Sequence, residues 1–337
     1  MIGSLVTKHK SRMNSDVLVP GSTANLGGGF DTLGVAVQLY LRARIIDVRE
    51  DGGGRLEVVS SRPAVRGTNA VERAFAAIAR HANGPVPTVF AEVESDIPLA
   101  AGLGSSAAAT VAGLRIFERV TAALPDPTLL AAATALEGHA DNAAPALFGG
   151  MTSVVEGAPS SGGPGEAGRA ARALHWDWPE EVRFVIATPH TGLATAKARA
   201  ALSPTISRTD AVFNLQRVLS LVHALQHGEY DRLREALEDR WHQPARAALV
   251  PHLEAVLAID DAEVLGAYLS GAGPSVAVLA RRDFARIERL LASTCEAAGT
   301  PVTVRTLAAH QPLRQEGREA REELSRPSSL SSPRRSA

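Results

Sequence analysis

The sequence predicts an α+β protein with two lobes. Strand-like and helix-like runs alternate along it, glycine-rich turns punctuate them, and 337 residues exceed one small domain. That length fits one large mixed unit or two domains sharing an interface, and a hydrophobic share of 45% supplies a sizeable core. The expected division is a leader at 1–15, a first lobe at 16–175, a second lobe at 176–312 and a tail at 313–337.

Residues 1–15 read as a disordered leader. The chain then turns apolar at DVLVP, from Asp16, and glycine-rich at GSTANLGGGFDTLG. The alternating run 35–50, rich in Val, Ile and Leu, reads as a strand, and RLEVVS (55–60) as another beyond a turn at 51–54. In the next segment Val71, Phe75, Ile78 and Ala82 recur at helical spacing, with Asn69 placed to cap the start and Asn83-Gly84 to stop it. TVFAEVE (88–94) is a strand, and the alanine-rich stretch after Ser105 is a closely packed helix. Pro125 and Pro127 interrupt the pattern, and Pro127 sits in the first turn of the following helix.

GGMTSVVE (149–156) returns to strand character, whereas 157–173, rich in Gly, Pro and Ser, reads as an exposed loop. RFVIATP (183–189) is a strand. Over 211–228, Val212, Leu215, Val218, Leu219, Val222 and Leu225 form an apolar stripe that should face the core, and Gly228 ends that helix. Residues 264–280 pass through a glycine turn into the strand SVAVLA. A helix over 283–298 and the strand PVTVRT follow, and no repeat of fixed period is present. From Arg314 the chain is rich in Arg, Glu and Ser and reads as a disordered tail.

Composition removes several function classes. The chain has 35 Lys+Arg against 36 Asp+Glu, a formal net charge of −1, and 4% aromatic residues. Nucleic-acid binding calls for surplus cations and stacking platforms, so no nucleic-acid partner is expected. A single cysteine, Cys295, rules out an intrachain disulfide framework. No apolar run approaches the roughly 20 residues that span a bilayer, and the start has no signal-like apolar region. The expectation is a cytoplasmic protein without a membrane partner.

The segment that carries function is Pro98-Leu99-Ala100-Ala101-Gly102-Leu103-Gly104-Ser105-Ser106-Ala107-Ala108. A glycine turn runs directly into a helix, so free backbone N–H groups and the helix dipole together suit a di- or triphosphate. Three other readings stand beside this one. The turn can serve close packing alone. Gly102-Leu103-Gly104-Ser105-Ser106-Ala107 matches a dinucleotide fingerprint, but the acidic residue expected about 20 positions on falls at Asp126 inside Pro-Asp-Pro. A Walker A loop would need a lysine after the loop, and none follows. A second glycine turn, Ser270-Gly271-Ala272-Gly273-Pro274-Ser275, taken alone is equally a plain hairpin.

Four ordered blocks together are more specific: PGSTANLGGGFDTLG, IPLAAGLGSSAAA, EGHADNAAPALFGG and LSGAGPSV. In this order and at these separations they resemble the signatures of the GHMP small-molecule kinases over about residues 17–307. The third block brings the resemblance closest to the kinases whose acceptor is L-homoserine. Gly28 departs from the pattern, standing where the first block usually has proline.

The resemblance implies an N-terminal lobe like ribosomal protein S5 domain 2 and a C-terminal ferredoxin-like lobe, with the site in the cleft between them. It implies ATP and Mg²⁺, transfer to the side-chain hydroxyl of L-homoserine in threonine biosynthesis, and the homodimer common among relatives. The nucleotide would lie on residues 98–108 with Gly271 and Gly273, and Ser106 and Glu137 would hold the metal. Asn25, Asp31, His139, Arg199 and Arg246 would contact the amino acid, and Asn142 would lie beside the reacting hydroxyl. A zwitterion needs arginine for its carboxylate and a carboxylate for its ammonium, which suits Arg199, Arg246 and Asp31. An amide is no general base, so catalysis would rest on positioning and electrostatics, with Arg199 also stabilising charge near the transferred group. Two rivals remain: a kinase of this family with another hydroxylated acceptor, and a non-catalytic nucleotide sensor.

The tail from Arg314 holds six Arg and four Glu, so the rest of the chain sums to −3, from 29 basic and 32 acidic residues. A phosphate ligand would therefore be held by local dipoles and by charge gathered at one point.

Overall fold

In the computed structural model, residues 16–65, 67, 69–155 and 171–311 are described. The expected leader, most of the expected loop at 157–173 and the tail from Arg314 lie outside the described residues.

The first sheet grows around one long strand. β1 (Asp16–Ala24) lies antiparallel to β2 (Leu33–Arg49), and their register shifts between Pro20 and Gly21. The first glycine block is therefore strand as far as Ala24 and loop from Asn25 to Thr32. β3 (Leu56–Arg62) makes no hairpin with β2. It runs parallel to β4 (Thr88–Ser95), reaching it through α1 (Ala70–Ala79), since parallel neighbours require a crossover. Asn69 caps α1 by accepting from the Val71 N–H at 3.0 Å. The helix ends at Ala79, short of the expected stop.

α2 (Ser105–Val120), α3 (Asp126–Glu137) and α4 (Ala143–Phe148) follow. The alanine-rich α2 packs against α1, where Phe75 and Phe117 meet edge to face at 5.7 Å, and against β1 and β2. β5 (Met151–Val155) joins the other side of β2. β6 (Arg172–Trp176) pairs with β5 and crosses the expected lobe boundary at 175/176, so the first sheet extends to Trp176. Its order is β3-β4-β2-β5-β6, with β1 also on β2.

The second sheet comes from β7 (Arg183–Pro189), β8 (Gly266–Leu269), β9 (Val276–Ala280) and β10 (Val302–Leu307), in the order β10-β7-β9-β8. Between β7 and β8 lie α5 (Thr195–Ala200), α6 (Arg208–His227), α7 (Leu233–Ala236), α8 (His242–Arg246) and α9 (Leu253–Leu257). α10 (Phe284–Ala297) links β9 to β10. Numbered within the lobe, the strand order is 4-1-3-2 in a βαββαβ sequence, which is the ferredoxin-like arrangement expected. One core joins the lobes, since Trp178, Phe184 and Tyr268 pack in the same cluster as Leu26 and Val37. A smaller core, including Val185, Leu253 and Leu291, lies within the second lobe.

α6 departs from its expected orientation. Of the expected stripe, Leu225 is buried and Val218 and Val222 pack half-buried against the core. Val212, Leu215 and Leu219 are exposed, at 47%, 64% and 71%, and Asn214, Leu221 and Ala224 are buried in their place. The cause is polar. The Asn214 amide donates to Asp239 Oδ1 at 2.7 Å and accepts from the Arg240 N–H at 3.0 Å. Satisfying that buried amide turns the helix away from the orientation its apolar pattern suggests. The two faces predict different responses to truncation. Leu221→Ala should cost about 2–5 kcal/mol, as core leucines do, and Leu219→Ala within about 0.5 kcal/mol. Urea unfolding at submicromolar protein checks both, and equal losses would contradict this orientation.

Candidate active site

The loop before α2 leaves its backbone donors free because its acceptors are occupied elsewhere. The Ala100 carbonyl accepts from the Leu193 N–H, that of Ala101 from the Ser275 N–H, and that of Leu103 from the Ser22 N–H; Gly102 O accepts from Ser270 Oγ at 2.7 Å. None of the N–H groups of residues 100–107 donates to a protein acceptor among the described residues. Gly104, left-handed at φ 69°, opens α2 without a side-chain cap. The result is a row of unpaired donors at the positive end of a 16-residue helix, which is an anion cradle.

Glycine is required at two points of this loop. A Cβ on Gly102 would stand 2.2 Å from the Ser270 carbonyl, and one on Gly104 would stand 2.0 Å from Ser22 Oγ. The second glycine turn thus braces the first from behind. Gly271 lines the cleft, whereas Gly273 lies against Gly102. Of the loop side chains, Ala100, Ala101, Ser105, Ser106 and Ala107 line the cleft. Leu103 and Ala108 are buried in the core instead, and Leu99 is exposed.

At the start of α2, Ser106 Oγ donates to Glu137 Oε1 at 3.1 Å, and buried Thr110 donates to the same oxygen at 2.6 Å. Among the described residues Glu137 has no cationic partner. A hydroxyl beside an uncompensated carboxylate at the edge of an anion cradle is a donor set of hard oxygens, which suits Mg²⁺.

The opposite wall carries opposed charges. Arg199, on α5, makes a two-pronged bond to Asp31, Nη1 to Oδ2 at 3.0 Å and Nη2 to Oδ1 at 2.7 Å. Arg246, on α8, is 1% exposed and has no direct carboxylate partner among the described residues. Its bonds go to the Ala198 and Gly271 carbonyls and to His242 Nδ1. Burial, followed by the Arg199 cation, draws its guanidinium below the usual range. Both arginines lie over the Phe30 ring, at 5.7 and 5.3 Å. Asn25, Leu26 and Asp31 have φ of 75°, 44° and 51°, so the first loop holds side chains in a costly conformation around the cleft. The buried Asn25 amide donates to the Gly271 carbonyl and accepts from the Asp31 N–H, tying the first block to the last. At Gly28 the backbone is outside the left-handed region, so the change from proline exploits none of glycine's freedom.

His139, Asp141 and Asn142 close the third side. His139 Nδ1 and Asp141 Oδ1 make a short hydrogen bond, and Asn142 Nδ2 donates to that oxygen at 3.2 Å. Asp31, His139 and Asp141 present ligand atoms within 4.8 Å of one another. Arg199 already engages both Asp31 oxygens, so this group acts as a charge network around the cleft.

Asn25, Asp31, Ser106, Glu137, His139, Asn142, Arg199 and Arg246, drawn from separate parts of the sequence, therefore line one cleft of about 120 Å³. A larger cavity of about 430 Å³ in the second lobe, lined by residues such as Arg234, Leu237 and Leu253, includes none of them. Sequence reasoning missed Phe30 and Thr195 in the lining, and Ser22, Thr110 and His242 behind it. His242 is wholly buried, held in the neutral form by desolvation. Its Nε2 donates to the Gly27 carbonyl at 2.8 Å and its Nδ1 faces Arg246. Its place four residues before Arg246 on one helix was the available signal.

Comparison with known proteins agrees with this geometry. The N-terminal and C-terminal domain models of the GHMP kinases match residues 69–150 and 221–297. A homoserine kinase from Solibacter usitatus is 38% identical over 279 residues, covering 81% of this chain and 87% of that protein. One from Gloeobacter violaceus is 39% identical over 288 residues, covering 82% and 92%. The crystal structure of homoserine kinase from Cytophaga hutchinsonii superposes with a TM-score of 0.74 at 25% identity, covering 91% of this chain and 98% of that one. The chain belongs to the GHMP kinase family, among its homoserine kinases. No helix of the described residues is long and apolar enough to cross a membrane.

The hydrogen bond that His139 donates to Asp141 raises the His139 pKa above its ordinary 6.5 by favouring the imidazolium. The stability it contributes is complete below pH 6.5 and is lost as pH rises through the raised value. An NMR titration should place His139 above 6.5, and Asp141→Asn should bring its midpoint down. An unchanged midpoint would remove Asp141 as the cause.

Proposed function

We propose that this chain transfers the γ-phosphoryl group of ATP to the side-chain hydroxyl of L-homoserine, giving O-phospho-L-homoserine for threonine biosynthesis. The carrying observation is the row of unpaired N–H groups at residues 100–107 beside a wall that presents Asp31, Arg199 and Arg246. The first feature suits a polyphosphate and the second an acceptor with both an ammonium and a carboxylate. The curated relatives named above are homoserine kinases, which supports the same acceptor.

In this reading Arg246 and Arg199 bind the amino-acid carboxylate, and Asp31, with His139 nearby, faces the ammonium end. Asn25 acts by holding the loop that carries Asp31. Asn142 stands beside the hydroxyl and donates a hydrogen bond, since an amide accepts no proton at neutral pH. The hydroxyl proton then leaves to a phosphate oxygen or to solvent, and catalysis rests on alignment and charge stabilisation. Ser106 and Glu137 would hold Mg²⁺, which when bound offsets charge on the phosphate oxygens.

An ADP-release assay across homoserine, mevalonate, shikimate and galactose tests the reading. Turnover should be confined to homoserine; activity on another acceptor alone, or on none, would favour the two rivals in turn. Arg199→Ala should lower kcat/KM for homoserine about 100-fold, on roughly 1.5–3 kcal/mol per charged hydrogen bond. KM for ATP should stay within about twofold, the margin expected where no ATP contact is lost.

The exposed stripe on α6 also supports a homodimer. The exposed Val212, Leu215 and Leu219 with the half-buried Val222 follow a spacing of 3, 4 and 3, which reads the same in both directions. An antiparallel two-fold pairing would set Leu215 against Leu219 of the partner subunit, as an isologous contact requires. Sedimentation should find a dimer that Leu215→Lys disrupts and Leu215→Lys with Leu219→Glu restores. A monomeric wild type would end the proposal.

A further inference from the structure

The amide of Asn142 is held at both ends by groups that no part of the reaction scheme uses. Ser22, on β1 and wholly buried, donates from Oγ to Asn142 Oδ1 at 2.9 Å across 120 residues of sequence. Asp141, 3% exposed, accepts from Asn142 Nδ2 at 3.2 Å. An ionised carboxylate only accepts hydrogen bonds, so Asp141 decides which end of the amide carries the NH₂. The Ser22 hydroxyl, which can donate, then meets the oxygen. With one amide hydrogen on Asp141, the other is left for a ligand in the cleft that Asn142 lines.

Ser22 also faces the nucleotide loop. Its N–H donates to the Leu103 carbonyl at 3.1 Å, and its Oγ lies where a Cβ on Gly104 would stand. The same residue thus fixes one carbonyl of the anion cradle and one end of the acceptor-side amide. Asp141 in turn is anchored by His139 through the short bond to its Oδ1.

We propose that Ser22 and Asp141 are positioning residues for phosphoryl transfer, clamping the Asn142 amide so that its free N–H faces the cleft in register with the phosphate loop. This rests on the reading of Asn142 as the group beside the acceptor hydroxyl. Without Ser22 the amide is held at one end only and its free N–H loses its fixed direction; without Asp141 the amide can flip and offer its oxygen, which would repel the phosphoryl oxygens. The clamp therefore acts on kcat, through Asn142, and not on nucleotide affinity.

A double-mutant cycle on the full chain tests this. Ser22→Ala should lower kcat about tenfold, the effect of losing one oriented hydrogen bond, with KM for ATP little changed. In an Asn142→Ala background, adding Ser22→Ala should cause no further loss, and Ser22→Thr should retain most activity in the wild-type background. Unchanged kcat in Ser22→Ala, or a second full loss in the Asn142→Ala background, would overturn the clamp. Melting temperature within a few degrees of wild type excludes unfolding as the cause. A readout independent of turnover separates this proposal from the proposed activity. The Asn142 side-chain NH₂ resonances, assigned by their loss in Asn142→Ala, should shift in both Ser22→Ala and Asp141→Asn. If the wild type phosphorylates no homoserine yet those shifts appear, the activity reading fails and the clamp stands; if neither variant shifts them, the clamp fails.

Discussion

A polyphosphate can be gripped without surplus cationic side chains only if backbone N–H groups are left over. Leaving them over requires that the partner carbonyls be satisfied by something else. In this protein four consecutive carbonyls, Ala100 to Leu103, find donors on three other segments: Leu193, Ser270 with Ser275, and Ser22. The constraint explains why the cradle needs both lobes. Ser22 belongs to the first sheet, whereas the other donors come from loops that follow β7 and β8 of the second. It also explains how a chain of net charge −1 suits a highly anionic ligand.

From that cradle the remaining site follows by adjacency. α2 begins at Ser105 and carries Ser106 and Thr110 to Glu137 at the end of α3. β1 carries Ser22 to the loop and ends where Asn25 begins to shape the first block. The 270–275 turn, which braces Gly102, also offers the Gly271 carbonyl to Asn25 and Arg246. Each element that supports the phosphate side thereby supports the acceptor side.

The parts of this arrangement that were legible in the sequence are those where backbone chemistry restricts residue choice. Gly102, Gly104 and Gly271 mark turns few other residues tolerate, and the polar cluster Glu137 to Asn142 stands out in an alanine-rich context. Most strand positions followed from apolar alternation, whereas the ferredoxin-like arrangement of the second lobe was implied by the family resemblance. What escaped was set by distant partners. Ser22 reads as part of a glycine-rich block, and only the fold brings it to Asn142. Asn214 lies outside the apolar stripe expected of α6, yet its bonds to Asp239 and Arg240 bury it and turn the helix about its axis. β6, an edge strand with mostly exposed side chains, shows little of the alternation that identifies a half-buried strand.

The pairing of Asp31 with Arg199 bears on selectivity as much as on binding. Each is the other's counter-ion before any ligand arrives, while Arg246 beside them is bonded only to carbonyls and to His242. In the proposed reading a zwitterion would exchange partners with that pair, giving its ammonium to Asp31 and its carboxylate to the guanidinium. A ligand bearing only one of the two charges would separate the pair and leave one member without its counter-ion. A simple alcohol, an amine or a hydroxy acid would complete only half of that exchange or none of it, so the pair favours an acceptor that carries both charges.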